Sequence, residues 1–256
     1  MADRSARRWL LEAAVIVGSI LLAFGLDAWW NERVRIAELE SEMLDVRREL
    51  VAAIEDTRPV WRYHALRSKL AERVGVALAA APSEVARVRA GDLTLLLPQS
   101  TSDFQTLTVE SFLARGGLEL FDEEAALALQ RWPGVAADLL DDQIRLRATA
   151  DREMTSLLRA SADLRQVTMT GVPALVETGG SSDWVAVDVS RELINLFAWR
   201  RAAEAGIAGT ILEVCDLATE IINAIDARIS SGAIPPSPAP CAEPEMPAWL
   251  EATSVN

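Results

Sequence analysis

The chain has 256 residues, half of them hydrophobic, and sets 25 Lys and Arg against 38 Asp and Glu for a formal net charge of −13. Such an acidic excess repels nucleic acid and anionic lipid, so a nucleic-acid partner is not expected. The apolar content is too high for disorder to be the default, and the chain beyond its first thirty or so residues can build one sizeable core or two small ones.

Residues 1–8 form a short basic tail containing Arg4, Arg7 and Arg8. Residues 9–30 then read WLLEAAVIVGSILLAFGLDAWW, an apolar run bracketed by tryptophans. As a helix this run is roughly 30 Å long, the thickness of a bilayer's hydrocarbon core, and tryptophan rings favour the two membrane interfaces. The pattern predicts a transmembrane helix. A cleaved signal peptide also has a basic start and an apolar core, and Ala23-Phe24-Gly25 is a weak small-residue cleavage site. The length of the run and the acidic Glu12 near its start favour an uncleaved anchor.

Two carboxylates stand inside this run, Glu12 and Asp27. Both lie near its ends, where they reach headgroups or water, and Glu12 follows Arg8 by four residues on one helical face. The alternative reading gives Glu12 a partner helix or a proton path inside a larger assembly. Ala14 and Gly18 form a small-xxx-small pair that would let another helix approach closely. Arg33 and Arg35 on the far side are followed by Arg47 and Arg48, so the charge asymmetry is modest. It points to a cytoplasmic amino terminus with the main domain across the membrane, in the periplasm.

After the anchor, Ile36, Leu39, Met43, Val46, Leu50 and Ala53 recur at alternating spacings of three and four, a heptad stripe in need of a partner. No glycine or proline separates Trp30 from Ile36, so the anchor is expected to run straight into this stalk, and Pro59 to break or kink it. Leu66, Leu70, Val74 and Leu78 mark a second amphipathic segment that Pro82 closes. Residues 31–81 thus read as a helical stalk, folded as a coiled-coil-like hairpin.

Residues 82–231 read as a helical bundle. Ser83-Glu84-Val85 starts a short helical turn, and Leu93 to Leu97 is an apolar run too short to separate strand from buried helix. A helix is expected from Thr106 to Arg115, stopped by Gly116-Gly117. Asp122 is a plausible N-cap for a helix from Glu123 to Trp132, with Glu123 and Glu124 suited to its first turn. Beyond Pro133-Gly134 a long helix runs to about Gln166, residues 171–183 read as a loop, and another helical region spans roughly Val189 to Ile229, with Gly206 and Gly209 as weak points. Residues 232–256 form a Pro-rich tail containing Trp249-Leu250, an apolar pair expected to dock, more readily on this chain's own bundle than on another subunit. The fold class is all-α: a transmembrane helix, a stalk, an extramembrane bundle and a Pro-rich tail.

The chain carries few residues in patterns suited to chemistry. His64 is the only histidine, no glycine-framed serine elbow accompanies it, and it reads as an ordinary helical surface or packing residue. Clustered His and Cys ligands for a metal are missing, as are both Gly-rich phosphate cradles. Asp122-Glu123-Glu124 and Asp141-Asp142 read as caps and surface charge. The sequence therefore predicts no catalytic, cofactor-binding or metal-binding residue and no enzyme activity. Cys215 and Cys241 either staple the tail to its helix in an oxidising compartment or remain two thiols; both readings stand. Trp61, Trp132, Trp184, Trp199 and Trp249 are expected to be mostly core or interface anchors.

Glu12, Ile16-Val17-Gly18, Leu22-Ala23-Phe24, Asp27, Trp29-Trp30 and Glu32-Arg33 together resemble the opening of a widespread family of uncharacterised bacterial single-pass membrane proteins. Leu44-Asp45-Val46-Arg47-Arg48-Glu49-Leu50 is similar to a phrase that follows there. The stretch from Glu110 to Phe121, with Gly116-Gly117 and then Asp122-Glu123-Glu124, resembles that family's central motif, a Gly-bearing turn feeding the next helix. The resemblance covers roughly residues 8–165 and implies architecture rather than activity, with location in a bacterial inner membrane. It also implies that Glu12, Asp27, Trp29 and Trp30 make a functional membrane contact. The long Pro-rich tail departs from the pattern. The expected function is a non-enzymatic accessory or scaffold subunit of a larger membrane complex, respiratory, photosynthetic or transport, whose partners are the bilayer and other membrane subunits. A membrane-tethered ligand-binding sensor is the alternative, and a self-associating homodimeric coiled-coil anchor the third.

Overall fold

The structure is a computed structural model that describes residues 2–97, 101–102, 105–162, 184–229, 241 and 250, with the side chains of residues 2–8, 10, 11, 13, 14 and 151 outside the description. Along the chain come α1 (Ala2–Ala79), β1 (Val85–Arg89), α2 (Ala90–Leu96), α3 (Leu107–Ala114), a 3-10 turn (Gly117–Leu120), α4 (Glu123–Thr149), a π turn (Ala150–Met154), α5 (Thr155–Ser161), β2 (Trp184–Asp188) and α6 (Arg191–Arg228). The fold is mostly helical. Residues 163–183, where the loop and the end of the long helix were expected, lie outside the described residues.

The framework is an antiparallel pair made by the two longest helices. Arg47 meets Asp226 at one end, Ser68 meets Arg201 further along, and a Cβ on Gly75 would touch Phe197 at the other end. The heptad stripe of α1 finds its partner here: Leu39, Met43, Val46, Leu50 and Ala53 are buried in a core shared with Leu129, Trp132 and Leu139 of α4 and Ile211, Ile221 and Ile225 of α6. Its cover is the chain's own bundle, which removes the main reason to expect a coiled-coil partner for residues 36–53.

The expected hairpin over 31–81 is corrected. Helix α1 runs unbroken through Pro59. A proline inside a helix deletes one backbone hydrogen bond and crowds the preceding turn, at about 3 kcal/mol. Val60, Trp61 and Leu66 just beyond it and Ala53 and Ile54 just before it are all buried. Burial of this kind is worth about 1.5–3 kcal/mol for each large side chain, so packing on both sides outweighs one missing bond. The same reasoning carries α4 through Pro133, with Trp132 fully buried beside it.

The mostly helical structure is consistent with the expected all-α class, and one small sheet stands among the helices. β1 and β2 pair antiparallel, Val85 opposite Asp188 and Arg89 opposite Trp184. Ala86 and Val88 face inward against Val187 and Val185, and these four join a second core with Leu66, Leu70, Val74, Leu93, Leu158 and Phe197. In place of the turn of helix expected at Ser83-Glu84-Val85, a bend at Ser83-Glu84 leads into β1 at Val85, and the ambiguous run around Leu93 is the fully buried α2. Helix α6 runs through Gly206 and Gly209, whose Cβ positions face open space.

The double glycine after α3 has a steric cause. Gly116 sits at φ +86°, a left-handed conformation that other residues rarely adopt. A Cβ on Gly117 would lie 2.3 Å from Phe112 Cε1. Gly117→Ala is therefore expected to destabilise the bundle by about 1–3 kcal/mol, seen as a lower thermal midpoint. Adding Phe112→Leu should recover part of that loss; a midpoint unmoved by Gly117→Ala would contradict the contact. Asp122 caps α4, its side chain accepting from the Ala125 N–H at 2.9 Å.

Candidate functional site

Two regions stand out, one at the surface and one buried. The surface region is the amino-terminal third of α1, where Val15, Ile16, Ile20, Leu21, Leu22, Phe24, Leu26, Trp29 and Trp30 are all exposed, the last by 62%. The apolar side chains point to every side of the helix, and no other element among the described residues covers them. Burial begins only near Ile36 and Leu39. Among the described residues no helix is long and apolar enough to cross a membrane. Leu10, Leu11, Ala13 and Ala14, which the sequence counts into the span, have side chains outside the description.

The expected contact residues are spread along this rod rather than gathered at one point. Glu12 and Gly18 are exposed on it, and a Cβ on Gly18 would meet nothing within 4 Å, which leaves its face open to a neighbouring helix. The side chain of Ala14 lies outside the description. Asp27, Trp29 and Trp30 end the rod with a polar collar: Asn31 Nδ2 donates to Asp27 Oδ2 at 3.3 Å, and the Arg33 guanidinium lies 4.8 Å from the centre of the Trp29 ring. One turn on, Arg35 bridges Glu32 and Glu119, each at 2.7 Å. The carboxylate of Glu32 is held below its ordinary range by the hydrogen bond from Arg35, and the Arg35 guanidinium is correspondingly held in its charged form. Together with Arg115, which pairs with Glu38 and Glu42, these contacts fasten the turn before α4 to the base of the rod.

The buried region is one that the sequence did not disclose. His64 and Arg67 on α1 meet Arg200 and Glu204 on α6, and all four side chains are excluded from solvent. Glu204 is the hub. His64 Nδ1 shares a hydrogen bond with its Oε2, while its Oε1 lies 2.6 Å from Arg200 Nη2 and 3.3 Å from Arg67 Nε. Both guanidiniums also donate to the Leu96 carbonyl at the carboxyl end of α2, from Arg200 at 3.4 Å. The ring of Tyr63 lies 4.8 Å from the Arg67 guanidinium.

The electrostatics follow from that geometry. Burial on its own would raise the Glu204 pKa, but Arg67, the bond to His64 and Arg200 outweigh it and hold the carboxylate below its ordinary value. Burial, and then repulsion from Arg67, lowers the Arg200 pKa to about 10. Burial raises the Tyr63 phenol, against the opposing field of Arg67. A buried polar set of this kind adds little net stability but penalises any packing of α1 on α6 that would separate the charges. His64, expected as an ordinary surface or packing residue, is thus a member of a buried ionic cluster.

The tail is tied back at two described points. Cys215 and Cys241 form a disulfide with Cα atoms 5.9 Å apart. Leu250 is half-buried against the second core, and its carbonyl accepts from Arg73 Nη1 at 3.4 Å. Trp249 lies outside the described residues. Closing a loop of this length restricts the unfolded chain by about 3 kcal/mol, so reduction or Cys215→Ser is expected to lower stability by about 2–4 kcal/mol in chemical denaturation. Equal midpoints with and without reductant would contradict it. Of the other tryptophans, Trp61 and Trp132 are core residues, whereas Trp184 and Trp199 are exposed by 54% and 39%. No group of three or more His, Cys, Asp or Glu suited to a metal ion occurs among the described residues. Comparison of the chain with known protein families, with curated proteins and with solved structures finds no match.

Proposed function

We propose that the chain is a non-enzymatic accessory or scaffold subunit of a larger membrane complex, anchored by residues 9–30 as a single transmembrane helix. The observation that carries this reading is the exposed apolar rod at the start of α1, continuous with a helix that then threads the whole bundle. A helix of 78 residues is about 115 Å long, enough to cross a bilayer and still form the spine of the domain beyond it. An apolar rod that the described residues leave uncovered needs an apolar surrounding, and lipid or partner helices supply one. Arg33 on Trp29 and Asn31 on Asp27 suit the interface where such a span would end.

The basic tail with Arg4, Arg7 and Arg8 places the amino terminus in the cytoplasm in this reading, and the disulfide between Cys215 and Cys241 favours an oxidising compartment for the bundle. A bacterial inner membrane with a periplasmic domain meets both conditions. The kinship with the single-pass family sharing the Glu12 to Arg33 pattern belongs to the same proposal. Self-association through residues 36–53 loses ground, because their stripe is filled within the chain, whereas the open face around Gly18 keeps room for a partner helix.

The test is to solubilise the membrane gently, isolate the tagged intact chain, and weigh what accompanies it. One membrane complex at fixed stoichiometry is the expected result. Recovery of the chain alone, as monomer or dimer, overturns the subunit reading, and release of the chain by alkaline washing overturns the anchor.

A further inference from the structure

We propose that an open groove between α1 and α6 is the seat of this chain's own residues 242–249, with Glu243 and Glu245 set against Lys69 and Arg201. The inference stands whether or not residues 9–30 enter a bilayer. The groove encloses about 680 Å³ and is lined by Trp61 and Ala65 of α1 and Ala205, Gly209 and Leu212 of α6, with Lys69, Glu72 and Arg201 as its charged groups. Small side chains hold it open, and a Cβ on Gly209 would meet nothing within 4 Å. Arg201 lies 3.7 Å from Glu72, whereas Lys69 makes no ion pair among the described residues.

The occupant follows from where the tail is held. Cys241 is bonded to Cys215, less than one turn beyond Leu212 on α6, and the Leu250 carbonyl accepts from Arg73, the residue after Glu72 on α1. Each anchor thus stands beside one end of the groove. Arg73 lies between Ser68, which meets Arg201, and Gly75, which approaches Phe197, so its level on α6 falls between Phe197 and Arg201. From Cys215 to that level is about 24 Å of helix. The chain from Cys241 to Leu250 spans about 28 Å when extended and only about 14 Å as a helix. An extended path reaches, and it has too little slack to pass around another face of the bundle. Pro244 and Pro247 favour that extended form. The charges agree, because the segment's two acids, Glu243 and Glu245, face a groove with two cations on it. Seated there, the segment links the first core, which contains Cys215 and Cys241, to the second, against which Leu250 packs.

Lys69 is the only lysine of the chain, which makes the contact readable. The detergent-solubilised full chain is treated with a water-soluble carbodiimide, which condenses an amine with a carboxylate that touches it, and the linked peptides are identified by mass spectrometry. Lys69 joined to Glu243 or Glu245 within one chain is the expected result. Ala205→Trp fills the groove from an exposed position and is expected to abolish that link while leaving the helical content unchanged. Lys69 joined only to Glu72, one turn along its own helix, or to nothing overturns the proposal, as does a link undiminished in Ala205→Trp. A link confined to covalent dimers puts a second copy's tail in the groove, and a link to a co-purified protein puts a partner there; either result also overturns it. Should Ala205→Trp not fold, the link in the native chain decides by itself.

Discussion

Replacing Glu204 with Gln is expected to destabilise the folded chain by about 3–5 kcal/mol, the largest effect of any single polar substitution. The carboxylate faces both Arg67 and Arg200 in the cluster, and it also holds His64. Glutamine keeps the volume and one acceptor oxygen but removes the negative charge that lies beside two buried guanidiniums. Replacing the whole set, with Arg67→Met, Arg200→Met, Glu204→Leu and His64→Phe, should cost far less than Glu204→Gln alone, because no charge then remains to be solvated. Thermal and chemical unfolding of the two variants side by side measures this. A single variant no less stable than the quadruple one would show that the cluster is not a charge-compensated unit.

The pH dependence follows from the same group. The Glu204 pKa is lowered in the folded state, so its contribution is present above the unfolded value of about 4.5 and is lost as the pH falls through the folded one. Acid unfolding is therefore expected to begin below about pH 4.5, and Glu204→Gln should flatten that limb. Asp92 works in the opposite sense, since its burial outweighs Arg73 and raises its pKa. Its contribution is fully present below the unfolded value of about 3.8 and is lost as the pH rises through the raised one. The steepness of the acid limb is what Glu204 leaves after that opposing effect.

Local pattern carried most of the helices but not their connections. Asp122 as a cap, the helix before Gly116-Gly117, and the helix after Val189 follow from capping chemistry and periodicity that operate within a few residues. Pro59 and Pro133 misled for a physical reason: proline's cost is local and certain, whereas the packing that offsets it comes from α6 and α4, far away in the chain. The sheet escaped for a similar reason. β1 and β2 are five residues each, and their alternation gains meaning only when Ala86 and Val88 meet Val187 and Val185. The buried cluster left one trace in the sequence. Arg200 and Glu204 stand four residues apart on the same stripe as Phe197, Ile207 and Ile211, where a charge facing solvent would not be expected. Read with His64 and Arg67 on the stripe of α1, that trace identifies a polar pairing of two amphipathic helices.

Introducing charge into the apolar rod is expected to abolish membrane integration while leaving the bundle folded. Ile20 and Phe24 lie one turn apart on α1 and are exposed by 50% and 69%, so neither supports the fold. An arginine near the centre of a spanning helix costs about 2.5–3.5 kcal/mol on insertion, so Ile20→Arg with Phe24→Arg adds about 6 kcal/mol before the lost apolar side chains are counted. That converts nearly complete insertion into nearly complete exclusion. The bundle should be indifferent, because α1 is first buried near Ile36 and Leu39. Alkaline extraction of membranes reads the first half of the expectation, and the unfolding midpoint of the extracted chain reads the second. A double variant that stays in the membrane would mean that residues 9–30 do not form the anchor. One that leaves the membrane with an unchanged midpoint would separate the rod's role from the domain it carries, the division of labour that a tethered subunit requires.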